Sequence, residues 1–317
     1  MLRQLVGSLP VPQDENILIG LQNAEDAVVY QLDPGRALVA SVDVITPVVD
    51  DPTTYGKIAA ANSLSDIFAM GGKGLVSLSV LSVTKEVPSE VVVEIVAGGA
   101  ETAMASGAPL LGGHSVEGED VLFGLVALGL VHPEELFTNH SLEPGDQLIL
   151  TKPLGTGTLT TAVKRGILGQ EALTLAVAGM VQTNGAAVDP LRAHGVRAVT
   201  DVTGFGLLGH AAEMAAASKV GVRFEQDRVP EYPGARESLD SGVVTRANSR
   251  NQGYVEGLGP LIGAPEPLLL DPQTSGGLLA AVKPGQLDSV LAALDAEGYH
   301  EAVRIGEVIA GSGITVQ

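Results

Sequence analysis

Short apolar runs with the two-residue period of a strand alternate along this chain with longer runs of helical period. In Leu75 to Val83, Val76, Leu78 and Val80 fall on one side and Ser77 and Ser79 on the other. Ile58, Ala61, Leu64, Ile67 and Phe68 instead recur at helical spacing. Further strands are expected at Ala27 to Gln31, Leu38 to Val42, Pro109 to Leu111, Val121 to Val131, Gln147 to Thr151, Arg197 to Thr200, Val220 to Glu225, Leu268 to Leu270, Leu278 to Val282 and Val303 to Ile309. Helices are expected at Glu90 to Ser106, Thr158 to Arg165, Gln170 to Val188, up to about Ser218, and Gln286 to Glu297. Such alternation restricts the chain to the α/β or α+β class. At 317 residues it is long enough for two domains. The turn Glu143-Pro144-Gly145-Asp146 places the boundary between residues 1–146 and 147–317.

The helix that ends in Asn62-Ser63-Leu64-Ser65-Asp66-Ile67-Phe68-Ala69-Met70-Gly71-Gly72-Lys73 carries the first chemical signal. Asn62 and Asp66 are four apart and so share a face. Gly71-Gly72 then stops the helix, because glycine enters the left-handed region without steric cost. A lone Asp on a helix is ordinarily a solvated group. Here it has company: Asp26 precedes a strand, Asp43 closes one, and Asp201 follows another. If these acids converge, their repulsion calls for divalent cations between them. Oxygen-only ligands favour Mg²⁺, and Mg²⁺ with few protein ligands points to a bound nucleotide phosphate.

Composition narrows the partners. The formal net charge of −19 argues against nucleic acid and anionic membranes. With 0 Cys, disulfides, thiolate metal sites and a cysteine nucleophile are excluded within the chain as given. The apolar run Val121 to Val131 is too short to span a bilayer, and no signal peptide is visible, so a cytoplasmic location is expected. Gly98-Gly99 within a helix suggests close packing against another backbone. The stretch from Arg228 to Pro267 reads as loop-rich, with a basic spot at Arg246 and Arg250.

Other motifs are weaker. Gly204-x-Gly206-x-x-Gly209 matches the dinucleotide fingerprint literally, but Asp201 stands just before it, where it would repel a pyrophosphate without a cation. No P-loop pattern occurs. Gly112-Gly113-His114-Ser115 after a strand reads either as a phosphate-approaching loop or as a plain turn. His114 and His210 carry no ligand spacing.

Four stretches together resemble one family. They are Asn62 to Lys73, Gly112 to Ser115, Thr200-Asp201-Val202-Thr203-Gly204-Phe205-Gly206-Leu207-Leu208-Gly209-His210, and Asp271-Pro272-Gln273-Thr274-Ser275-Gly276-Gly277-Leu278-Leu279. Their wording is similar to that of selenophosphate synthetase (selenide, water dikinase), over nearly the whole chain. The resemblance implies a two-domain fold like that of aminoimidazole ribonucleotide synthetase, with the N-terminal domain dimerising through its sheet. It implies ATP, selenide and water as substrates, giving selenophosphate, AMP and orthophosphate, with Mg²⁺ around the triphosphate. By motif matching, Asp26, Asp66 and Asp201 fall on magnesium-binding acids. Asn23, Ala24, Glu25, Asp43 and Asp66 fall on ATP-contacting positions, and Gly113, His114 and Ser115 on a segment reaching the neighbouring subunit's ATP.

The family's Gly-rich loop, with a Cys or selenocysteine and a Lys three residues on, has no counterpart here, so no catalytic residue is assigned. The expectation is that this loop is missing because a selenocysteine codon was read as a stop and the next Met became residue 1. Little selenophosphate formation is then expected from the chain as given. A non-catalytic ATP-binding paralogue and another enzyme of the same fold stay open as alternatives.

Overall fold

The computed structural model describes residue 9, residues 12–20 and residues 25–317. In the first half the elements run β1 (Ile17–Ile19), β2 (Val28–Asp33), β3 (Arg36–Ile45), α1 (Pro52–Ala69), β4 (Lys73–Val83), α2 (Ser89–Ala105), β5 (Leu110–Glu117) and β6 (Leu122–Val131). In the second they run β7 (Gln147–Leu150), α3 (Thr156–Lys164), α4 (Thr174–Val181), α5 (Gly185–Ala193), β8 (Ala198–Asp201), α6 (Gly206–Ser218), β9 (Gly221–Phe224), α7 (Ala235–Asp240), α8 (Arg246–Leu258), β10 (Leu261–Ile262), β11 (Leu278–Val282), α9 (Leu287–Ala296), β12 (Val303–Ile309) and β13 (Gly313–Val316). The first sheet has the order β1-β2-β3-β6-β4-β5 and the second β10-β13-β9-β12-β7-β11-β8. Neighbours are antiparallel except β4 with β5, β10 with β13 and β13 with β9.

α1 is the central element. Asp51 caps it, its carboxylate accepting from Thr54 N–H, and Pro52 occupies the first turn, where a missing N–H costs nothing. The helix lies against α2, β3 and β6 and also against α4, α5 and β8. Ile58, Ala61, Leu64, Ile67 and Phe68 are all buried, and so is Asn62. The backbones of α1 and α2 touch: a Cβ on Gly56 would stand 1.9 Å from Ile95 O, and one on Gly98 2.1 Å from Thr53 O. The stop also works as expected, with Gly71 at φ +72° and Gly72 N–H donating to Ile67 O at 2.8 Å.

Four expectations are corrected. Gly112 to Ser115 is not a loop: it belongs to β5, an exposed edge strand. Gly113 is needed there because a Cβ would meet Ser79 O at 2.3 Å, beside a register shift in the β4–β5 pairing. Gln170 to Val188 is not one helix; a turn at Gln170–Leu173 leads into α4, and the chain breaks before α5 begins at Gly185. The break lies where Gln182 O and the Asn184 side chain are engaged by other segments. The stretch from Arg228 to Pro267 contains α7 and α8, the latter opened by a Thr245/Asn248 capping box. Leu268 to Leu270 is a 3₁₀ turn, not a strand.

Candidate active site

β3, α1, β8 and the segment before β2 each deliver one acid. Asp43 lies on β3, and its Oδ2 accepts from Asn62 Nδ2 at 2.8 Å. The Ser41 hydroxyl donates to Asp66 Oδ2. Asp26 Oδ1 accepts from Thr200 Oγ1 at 2.9 Å, and the Ser65 hydroxyl stands near enough to the Asp201 carboxyl to favour its charge. Asp26 Oδ2 and Asp201 Oδ2 are buried with no hydrogen-bond partner among the described residues. Buried carboxylate oxygens without partners are costly, and a site that retains two of them is poised for a cation.

The electrostatics carry the same message. Burial pushes Asp43 up to about 6, with the Asp201 charge adding to it and Asn62 opposing. Burial raises Asp26 well above the usual carboxylate range, assisted by Asp201, Asp66 and Glu25. Asp66 is raised likewise by burial, Asp201 and Asp43. Burial also raises Asp201, against the pull of His210, Ser65 and Lys152. The four acids are therefore close enough to feel one another. Still, among the described residues no three Asp, Glu or His side chains close tightly enough to enclose a metal ion by themselves. The donor set suits a hard cation that takes one or two carboxylates and completes its shell from water and phosphate, as Mg²⁺ does.

The other expected site residues divide. Glu25 is committed elsewhere: its Oε2 accepts from Asn139 N–H at 2.8 Å, and its Oε1 meets His140 Nδ1 at 2.6 Å. Asn23 and Ala24 lie outside the described residues. Gly113, His114 and Ser115 are exposed on β5, at the far edge of the sheet from β3, and do not join the acids within one chain.

The second half is locked to itself and to α1 by residues whose roles spacing does not reveal. Asp271 is fully buried; its Oδ2 accepts from Thr158 N–H at 3.1 Å and its Oδ1 from Thr158 Oγ1 at 2.9 Å. Gln273 Oε1 accepts from the N–H groups of Gly155 and Thr156. The Lys152-to-Gly157 and Asp271-to-Gly277 stretches thus hold each other, and the start of α3 is filled by protein rather than offered to an anion. Asn184 Nδ2 donates to Ser65 Oγ at 2.8 Å and to Gly276 O at 2.9 Å. Ser275 N–H donates to Asn62 Oδ1 at 2.9 Å. Two glycines of the Gly204/Gly206/Gly209 pattern serve packing: a Cβ on Gly206 would stand 3.0 Å from Asp271 O and one on Gly209 2.5 Å from Phe205 Cβ, whereas one on Gly204 would meet nothing within 4 Å. β8 is an edge strand antiparallel to β11, so no parallel βαβ unit frames a dinucleotide there.

Comparison with known proteins agrees with this architecture. The model of the AIR synthase related protein N-terminal domain matches residues 24–131, and that of the C-terminal domain matches residues 143–317. The chain is 40% identical to a selenide, water dikinase of Clostridioides difficile (strain 630), over 98% of this chain and 90% of that protein. It is 42% identical to one from Pelobacter propionicus, over 97% and 89% respectively. In fold it is similar to HypE in a HypE–HypF complex, with a TM-score of 0.75 at 16% identity, covering 99% of this chain and 94% of that one. It is also similar to the thiamine-monophosphate kinase of Stenotrophomonas maltophilia, with a TM-score of 0.70 at 20% identity, covering 100% and 94%. Identity of this order across both halves, on the AIR synthase fold, places the chain in the selenide, water dikinase family of ATP-dependent phosphotransferases.

Proposed function

We propose that this chain transfers one phosphoryl group of ATP to selenide and another to water, yielding selenophosphate, AMP and orthophosphate. The observation that carries the reading is the gathering of four mutually repelling acids, two with unpartnered buried oxygens, on a chain of net charge −19. Asp26, Asp66 and Asp201 would hold Mg²⁺, which supplies the positive charge a triphosphate needs to enter an anionic cleft. Phosphoryl transfer asks the protein mainly for positioning and charge neutralisation. Here Asn62 fixes Asp43, Ser41 fixes Asp66 and Thr200 fixes Asp26, while the Ser65 hydroxyl favours the charged form of Asp201. Asp43, with Asn23 and Ala24, is assigned to contact ATP, while the Glu25 carboxylate holds Asn139 and His140.

The active unit is assigned as a homodimer. Val28, Tyr30, Leu32, Val42, Val44, Leu78 and Leu111 leave large apolar side chains exposed on β2 to β5, more than a lone soluble sheet face ordinarily shows. Pairing of two such faces would cover them and bring Gly113, His114 and Ser115 to the partner's nucleotide. The site of action is assigned to the cytoplasm; among the described residues no helix is long and apolar enough to cross a membrane. Turnover by the chain as given is expected to be slow, because it offers no thiol to carry selenide.

³¹P NMR of the protein with ATP, Mg²⁺ and selenide tests the reading. Selenide-dependent formation of AMP and orthophosphate supports it, even at a low rate. ADP as the end product with a non-selenium acceptor contradicts it.

A further inference from the structure

Lys152 follows β7 and is buried, with 2% exposure. Among the described residues its ammonium makes no ion pair, although the Asp201 charge reaches it; Nζ donates to Gln182 O at 2.6 Å and to Ser275 O at 3.1 Å. A buried amine spent on two backbone carbonyls calls for an account, because burial penalises its charge and Lys is seldom placed so deep without a carboxylate partner.

The carbonyls explain it. Ser275 has φ +48°, one of two non-glycine residues with positive φ among those described. For a side-chain-bearing residue that conformation costs about 1 kcal/mol and persists only where neighbours fix it. Lys152 fixes it from one side. Thr151 assists, its hydroxyl accepting from Leu278 N–H at 2.8 Å, and Gly277 lies flat against Lys152 because a Cβ there would meet Lys152 N at 2.5 Å. On its other side the turn faces α1. Ser275 N–H donates to Asn62 Oδ1, and Asn62 Nδ2 donates to Asp43. Gly276 O accepts from Asn184 Nδ2, which also donates to Ser65, whose hydroxyl stands beside Asp201 and favours its charge. One strained turn therefore sets the carriers of two acids, from two different sheets.

We infer that Lys152 is a positioning residue for the phosphoryl-transfer site, acting through the Ser275 turn and Asn62 on Asp43. This deepens the proposed function and rests on it. Burial brings the Lys152 pKa down to about 7 against the pull of Asp201, and an amine in either protonation state donates to both carbonyls.

The test uses the full chain, with Lys152→Met, Ser275→Gly and the double variant. Glycine adopts positive φ without help, so Ser275→Gly should remove the need for Lys152. The expected result is a drop in nucleotide affinity and in ATP turnover of tenfold or more for Lys152→Met, with the double variant recovering to within threefold of Ser275→Gly alone. Amide hydrogen exchange supplies a readout independent of activity. Lys152→Met should lose protection at residues 273–277 while β11 keeps its own. An unchanged turn in Lys152→Met, or a double variant no better than the single, overturns the inference. If Lys152→Met does not fold, Lys152→Gln, which keeps one donor, is measured in the same way. Failure of both to fold, with or without glycine at 275, makes Lys152 a core residue and also overturns it. A wild-type chain that binds no ATP, yet shows the Lys152-dependent protection at 273–277, counts against the proposed function and leaves the role of Lys152 in the turn standing.

Discussion

The side-chain amide of Asn62 donates to Asp43 Oδ2 at 2.8 Å, tying the centre of the buried helix to an acid on the neighbouring strand. The other end of the same amide receives Ser275 N–H at 2.9 Å. Replacing Asn62 with leucine leaves a buried N–H and a half-buried carboxylate without those partners. Each orphan costs roughly 1–3 kcal/mol, so Asn62→Leu should lose about 3 kcal/mol of stability by urea unfolding. Nucleotide affinity should fall at least tenfold. A loss of stability below about 0.5 kcal/mol would show that the bond is incidental.

Stability should depend on pH in the direction opposite to most acidic proteins. Burial holds both Asp43 and Asp271 at about 6 instead of 3.8. A raised carboxyl pKa means that the folded chain takes up a proton which the unfolded chain binds only at lower pH. Stability from these groups therefore rises as pH falls from about 6 towards 4, and is least favourable, and flat, above 6. For Asp271, which is fully buried, the two-unit shift amounts to about 3 kcal/mol. Asp26, Asp66 and Asp201 are raised too and act in the same sense. Carboxyls held low by arginine, such as Glu225 beside Arg304, act only near and below 4. The metal-free protein should show a higher urea midpoint at pH 5.5 than at pH 7.5, and added Mg²⁺ should narrow the gap by stabilising the charged acids at pH 7.5. A midpoint that climbs steadily from 5.5 to 7.5 would contradict the electrostatic account.

Two glycine-to-alanine changes should act with opposite sign. At Gly56 the new Cβ falls 1.9 Å from Ile95 O, so α1 and α2 must separate. Overpacking of this kind costs about 1–3 kcal/mol, and the melting temperature should fall accordingly. At Gly253, on α8, nothing lies within 4 Å of the added Cβ. There alanine should add about 0.5–1 kcal/mol through helix propensity alone. Calorimetry of both variants checks the sign.

Leu111 is 72% exposed on the edge strand β5, next to Gly112 and Gly113. Leu111→Glu should convert a dimer to a monomer in light scattering and weaken ATP binding in parallel, with little change in the unfolding of the monomer. A variant that stays dimeric would move the interface elsewhere.

The sequence exposes its secondary structure where one rule dominates. α1 is legible because apolar spacing and the Gly71-Gly72 stop agree, and both appear in the structure. Gly98-Gly99 is legible as a contact for the same reason: only close backbones justify two glycines inside a helix. α8 is hidden because its face is polar and it contains Gly253 and Gly257, so its capping box at Thr245 is the only local signal. Gly112 to Ser115 misleads because glycine serves edge strands that are crowded by a neighbour as well as it serves loops. Of the acids proposed for the site, Asp26 and Asp201 stand out in the sequence by their places beside strand ends and Asp66 by its helix face, whereas Asp43 lies two residues inside β3. Lys152, Asn184 and Ser275 cannot, since their partners lie 92 or more residues away for Asn184 and 123 away for the Lys152–Ser275 bond.

The central claim is that carboxylates from both halves of the chain admit a triphosphate only in company with magnesium. Calorimetric titration with a non-hydrolysable ATP analogue tests it most directly, on the wild type with and without Mg²⁺ and on Asp201→Asn with Mg²⁺. The expected result is binding by the wild type that requires Mg²⁺, with affinity reduced about a hundredfold or more in Asp201→Asn. Equal affinity with and without Mg²⁺, or an Asp201→Asn variant that binds as the wild type does, would contradict it.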